Sequence, residues 1–86
     1  MAITFPNMES INGDKMIVSF PADQNSSRIV CGISFEALQD NFGGNNIPPL
    51  DCFRKNRQAI EAKAERLIIQ GRFGEDGSIL IRSQDR

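Results

Sequence analysis

No histidine occurs anywhere in the 86 residues. That single absence removes Ser-His-Asp and Cys-His catalysis, imidazole metal ligation and any histidine-based pH switch. Tryptophan and tyrosine are missing too, which leaves six phenylalanines as the whole aromatic content. A chain this short buries only about 60% of the surface it exposes when unfolded, so those rings are expected in the core. Two cysteines are too few for a four-ligand zinc site, and they suit the reduced thiols of an intracellular protein. No apolar run approaches the roughly 20 residues of a membrane-spanning helix. The first seven residues have neither a charged n-region nor an apolar h-region. The expectation is one cytoplasmic domain over residues 1–86, with no metal, no cofactor and no reaction centre of a recognised type.

Charge is present in ordinary amount but unevenly placed. The net is −1. Residues 1–51 hold Lys15 and Arg28 against six acids, a net of −4, and residues 52–86 hold eight bases against five acids, a net of +3. Such asymmetry permits head-to-tail self-association or an acidic partner, and is too mild to define a nucleic-acid binder.

The strand signals come first along the chain. Ile3-Thr4-Phe5 is a short strand closed by Pro6, and Asn12-Gly13 is a hairpin signal before a strand over 15–20. Met16, Val18 and Phe20 then share one face. Residues 21–27 read as a polar loop. A strand over 28–34 sets Ile29, Cys31 and Ile33 opposite Val30 and Gly32. Apolar residues on both sides suggest strands near the middle of a small sheet.

Ser34 is a suitable N-cap for a short helix over Phe35–Phe42, and Gly43 suits its left-handed C-terminal position. Pro48-Pro49 opens a long amphipathic helix that Gly71 ends. At 100° per residue, Leu50, Phe53, Ile60, Ala64, Leu67 and Ile68 fall on one arc. Residues 72–73 and 78–83 read as two final strands around Glu75-Asp76-Gly77. The expected fold class is therefore α+β. A small, mainly antiparallel sheet, built of N-terminal strands and a C-terminal hairpin, carries one short and one long helix on one face.

The long helix holds the candidate site residues. Arg57 lies in the apolar arc, either as a stem paired to Glu61 one turn on or as a donor for a ligand carboxylate or phosphate. Arg54, Arg57, Lys63 and Arg66 form a candidate binding surface for a protein or a nucleic-acid backbone. Glu61, Glu65 and Asp51 interleave with them, and no aromatic is placed to stack a base. Cys52 sits in the first turn, where helix amides favour a thiolate, which makes it a candidate reactive thiol. Cys31 reads as a small buried hydrophobe. The acids Glu36/Asp40 and Glu75/Asp76 are weak candidates for chemistry that requires burial, and Gly43-Gly44 is not followed as a P-loop is.

Ile3 and Phe5, Phe20-Pro21-Ala22, Cys31, Ile33-Ser34, Ala37-Leu38, Phe42, Phe53, Arg57, Ile60-Glu61, Ala64 and Gly71 together resemble bacterial domain-of-unknown-function family 1488. The resemblance covers almost the whole chain and rests on core and boundary positions. It implies a small stand-alone bacterial α+β protein and supplies no catalytic residues. The leading functional expectation is a non-enzymatic binding module with a protein partner or a second copy of itself, through the edge at 79–81 or through Ile69. The alternative is a nucleic-acid-associated regulator using the basic helix.

Overall fold

The computed structural model describes residues 3–83. Its strands are β1 (Ile3–Thr4), β2 (Ser10–Asn12), β3 (Ile17–Gln24), β4 (Ser27–Ser34) and β5 (Ile79–Ile81), and its helices are α1 (Phe35–Phe42), α2 (Pro49–Lys55) and α3 (Arg57–Ile69). The sheet order is β1-β3-β4-β5, with β2 also paired to β3. Strands β3 and β4 form the centre, in antiparallel register from Ile17↔Ser34 to Gln24↔Ser27.

The expected loop over 21–27 is instead mostly strand. Asn25 and Ser26 both have positive φ, 51° and 68°, and make a two-residue turn of the type that matches strand twist. Pro21 is tolerated inside β3 because β1 pairs with residues 23–24 and β2 with residues 17–19. Among the described residues no strand faces Pro21 on that side, so its missing N–H interrupts no ladder. The turn between β2 and β3 is longer than a two-residue hairpin, and Met16 within it is exposed with φ 56°.

The α+β class stands, with two differences in detail. The expected long helix is two helices that meet at Asn56 (φ −114°, ψ 20°). The Asn56 side chain donates to the Cys52 carbonyl at 2.9 Å and to the Phe42 carbonyl at 3.5 Å, a local competition with helical bonding that breaks the axis. The expected C-terminal hairpin is also absent. Gly71 (φ 70°) ends α3, with Gly71 N–H donating to Ile68 and Arg72 N–H to Leu67. Residues 72–78 then form a loop, and β5 pairs parallel to β4 through Cys31↔Ile79 and Ile33↔Ile81. Parallel neighbours require a crossover, and here the crossover contains all three helices.

This topology puts the helices on one face of the sheet. Their core partners are Val18, Phe20, Ala22, Cys31, Ile33, Ile79 and Ile81, against Leu38, Phe53, Ile60, Ala64, Leu67 and Ile68. Phe20 bridges Phe5 and Phe53, with ring centroids 6.2 and 5.0 Å away. The Ser34 hydroxyl caps α1 by accepting from the Ala37 N–H at 3.0 Å. No helix among the described residues is long and apolar enough to cross a membrane.

Candidate functional site

The basic residues of the helices do not gather into one surface. Arg54 donates to Glu9 at 2.8 Å, Arg57 donates to the other Glu9 oxygen, and Arg57 also reaches Glu61 at 3.4 Å. The Arg57 guanidinium lies 4.8 Å from the centre of the Phe53 ring. Arg57 and Glu9 are each mostly buried, at 19% and 13% exposure. The Arg54 hydrogen bond, more than Arg57, holds the Glu9 carboxyl below the usual carboxylate range against an opposing desolvation effect. The sequence finds the Arg57–Glu61 pair but not Glu9, which lies 48 residues from Arg57. Arg66 is exposed, while Lys63 is half-buried. At about 100° per residue they lie some 60° apart, with Arg66 on the outer side of α3 and Arg57 halfway round from it.

Cys52 has no exposed surface. Its thiol donates weakly to the carbonyls of Phe42 at 3.6 Å and Leu38 at 3.9 Å, and the Asn56 amide reaches the sulfur at 3.8 Å. Burial pushes its pKa up and outweighs the lowering by Asn56 and Lys55. The helix-start argument for a thiolate is thus overridden by desolvation. Cys31 is buried as well, and burial pushes its thiol up to about 12.

The feature that sequence reading missed is the other face of the sheet. The three helices of the described residues occupy the Val18/Cys31/Ile33 side, and among those residues no helix or strand covers the opposite side. By strand alternation this bare face carries Ile17, Ser19 and Pro21 from β3, Arg28, Val30 and Gly32 from β4, and Leu80 from β5. Val30 is 58% exposed, Leu80 36%, and Phe73, from the loop beyond α3, 43%. Together with Lys15, Arg72, Asp76 and Arg82 these residues line an open groove of about 910 Å³. A second hollow of about 230 Å³ adjoins it beside Pro21 and Val30 and is walled by Met8 and Glu9. The Glu9 ion cluster therefore fixes one wall of the hollow. Apolar residues on both sides of β3 and β4 suggested strands near the middle of the sheet, where both lie. Ser19 and Arg28 alternating with Ile17 and Val30 are the signal for the side the helices leave open.

The geometry of a one-sided sheet with a three-helix crossover can now be set beside known proteins. Residues 3–81 match the family described as a protein of unknown function, DUF1488. The chain belongs to that family. Its relatives include the uncharacterized protein YrdB of Escherichia coli K12, 40% identical over 81 residues, covering 93% of this chain and 95% of that one. YrdB of Shigella flexneri is 38% identical over the same length. A crystal structure of a DUF1488 protein of unknown function from Shewanella loihica PV-4 superposes with a TM-score of 0.83 at 28% identity, covering 92% of this chain and 90% of that one. The expected family and fold class are both borne out.

Proposed function

We propose that this chain is a non-enzymatic, cytoplasmic binding module that docks another protein on the bare face of its sheet. The observation that carries the reading is the exposed apolar stripe of Val30, Leu80 and Phe73, joined by half-buried Ile17, on the side the helices leave open. Covering one large apolar side chain completely stabilises a complex by up to about 2 kcal/mol, and contiguous exposed apolar surface marks interaction sites. The site expected from sequence, Arg54, Arg57, Lys63 and Arg66, ranks below it because Arg54 and Arg57 are engaged by Glu9. The nucleic-acid reading through those residues ranks lower for the same reason.

The test is affinity capture from a native host, nuclease-treated, with three baits. Wild type and an Arg66→Glu variant are expected to recover the same protein, and a Val30→Asp/Leu80→Asp variant to lose it. Loss with Arg66→Glu and retention by the sheet-face variant would overturn the reading. An Arg54→Glu/Arg57→Glu bait is unsuitable, since it would break the Glu9 cluster and report on folding.

A further inference from the structure

The Asn12-Gly13 step, a hairpin signal in the sequence, does not form the two-residue turn it suggests. Asn12 is the last residue of β2, and residues 13–16 make the turn to β3. Neither Asn12 nor Gly13 has positive φ, which that turn requires of both. A Cβ at Gly13 would meet nothing within 4 Å. The fold therefore does not need glycine here, and what the step retains is its chemistry. A glycine, lacking a side chain, leaves its backbone nitrogen unhindered for attack on the amide carbon of a preceding asparagine. Asn12 is the only asparagine followed by glycine in the chain, and it is exposed, as are Gly13 and Asp14. The Asn12 amide oxygen accepts from the Lys15 N–H at 3.2 Å, which draws electron density from the carbonyl to be attacked. The Gly13 N–H makes no hydrogen bond among the described residues.

Asp76-Gly77 is the comparable aspartyl step, and it lines the same groove as Asn12. Its surroundings oppose the reaction. The Asp76 carboxylate accepts from the Ser78 hydroxyl at 2.6 Å and the Ser78 N–H at 3.1 Å. Those bonds, the hydroxyl's foremost, hold the carboxyl below the usual carboxylate range against a desolvation effect, and the charge of Lys15 adds to them. Attack needs the neutral acid, which this environment disfavours. The Gly77 N–H, the nucleophile of such a step, is committed to the Gly74 carbonyl at 3.0 Å.

We infer that Asn12 is a site of spontaneous covalent modification in the folded protein, converting to aspartyl and isoaspartyl forms, while Asp76-Gly77 beside the same groove is protected. The Gly13 nitrogen bonds to the Asn12 amide carbon and gives its proton to solvent. The carbon–nitrogen bond of the side-chain amide breaks, and ammonia leaves. Water then adds to one of the two carbonyls of the resulting succinimide. Breaking the bond from the Gly13 nitrogen to the side-chain carbon leaves aspartate, and breaking its bond to the backbone carbon leaves isoaspartate. The sum consumes one water and releases one ammonia, with no oxidant or reductant. Either product sets a carboxylate where a neutral amide lined the groove. The isoaspartyl form also adds a methylene to the backbone at Asn12↔Ile17, where the β2–β3 ladder ends. The inference is independent of the docking reading, although the rim it alters belongs to that face.

The test incubates the purified full chain at pH 7, native and in urea, with samples taken from hours to weeks. Each is digested with trypsin, and mass spectrometry with electron-transfer fragmentation distinguishes isoaspartate from aspartate. Cleavage after Lys15, Arg72 and Arg82 puts the two steps on separate peptides. Conversion at Asn12 is expected at nearly the same rate in the native chain and in urea. Isoaspartate at Asp76 is expected to form at least tenfold more slowly in the native chain than in urea. Gly13→Ala should slow conversion at Asn12 at least tenfold, with circular dichroism and melting curves showing the variant folded. Conversion at Asn12 that is at least tenfold slower in the native chain than in urea would overturn the inference, since the fold would then protect that step. Isoaspartate forming at Asp76 equally fast in both conditions would overturn the selectivity.

Discussion

Glu9 accepts from Arg57 across 48 residues of sequence, and the contact ties the β1–β2 connection to the first turn of α3. Arg54 joins from the end of α2, so one carboxylate pins the break between two helices to the segment that walls the smaller hollow. Arg57 is therefore a structural residue at least as much as a surface cation. Replacing it with Ala is expected to destabilise the fold by about 2 kcal/mol, through loss of the mostly buried pair and of the contact with the Phe53 ring. Lys in its place should recover only part, since it cannot bridge Glu9 and Glu61 as a planar fork does. Urea unfolding of the three proteins measures this.

The same cluster predicts a pH dependence with a definite sign. The Glu9 pKa is lowered in the folded state, so its ionised form contributes stability that is present above the unfolded-state value near 4.5. That contribution is lost as pH falls through the lower folded-state value. The stability difference between wild type and Glu9→Gln should be constant above about pH 5.5 and shrink below about pH 4.5. Paired urea melts across pH 3–7 give the curve. A difference that grows on acidification contradicts the assignment.

Both thiols should be silent in the native protein. Cys31 and Cys52 have no exposed surface, and burial raises the pKa of each. A disulfide reagent at pH 8 is expected to label them only at the rate at which the protein opens, and to label both immediately in urea. Rapid native labelling of Cys52 would restore the reactive-thiol reading.

Gly44 tests the packing around that sulfur. A Cβ there would lie 2.8 Å from the Cys52 sulfur and 3.1 Å from the Leu38 carbonyl oxygen. Gly44→Ala is expected to cost about 1–3 kcal/mol through overpacking. Relief by a smaller neighbour, in Gly44→Ala/Cys52→Ala, should make the double variant less unstable than the two single costs summed.

The helices, their caps and the core were legible in the sequence because each rests on a local rule. Ser34, Gly43 and Gly71 act at single positions, and the arc of Phe53, Ile60, Ala64, Leu67 and Ile68 repeats at the helical period. What was not legible depends on distant pairing. Asn56 breaks the helix by reaching toward the Phe42 carbonyl, and the Glu9–Arg57 pair crosses most of the chain. Three apolar residues at 79–81 fit a hairpin as well as they fit a parallel edge. Local pattern does not say that the free edge of β4 receives them. Helices on one side of the sheet were expected; that Leu80 lies beside Gly32 on the other side follows only from the parallel pairing of β5 with β4.

Residues of the bare face should therefore matter little for stability and much for binding. Val30→Asp and Leu80→Asp are expected to change unfolding free energy by about 0.5 kcal/mol each. Ile33→Ala, one layer away in the core, should cost about 2–4 kcal/mol. Thermal melts of the three variants separate a docking surface from a folding surface.

Site-specific photocrosslinking in living cells tests the central claim most directly. A photoreactive phenylalanine analogue is placed at Val30 or Leu80 on the sheet face, or at Arg66 on the outer side of α3. The account predicts a discrete protein adduct from the two sheet positions and none from the helix position. An adduct confined to Arg66, or none from either sheet position in a folded protein, would contradict it.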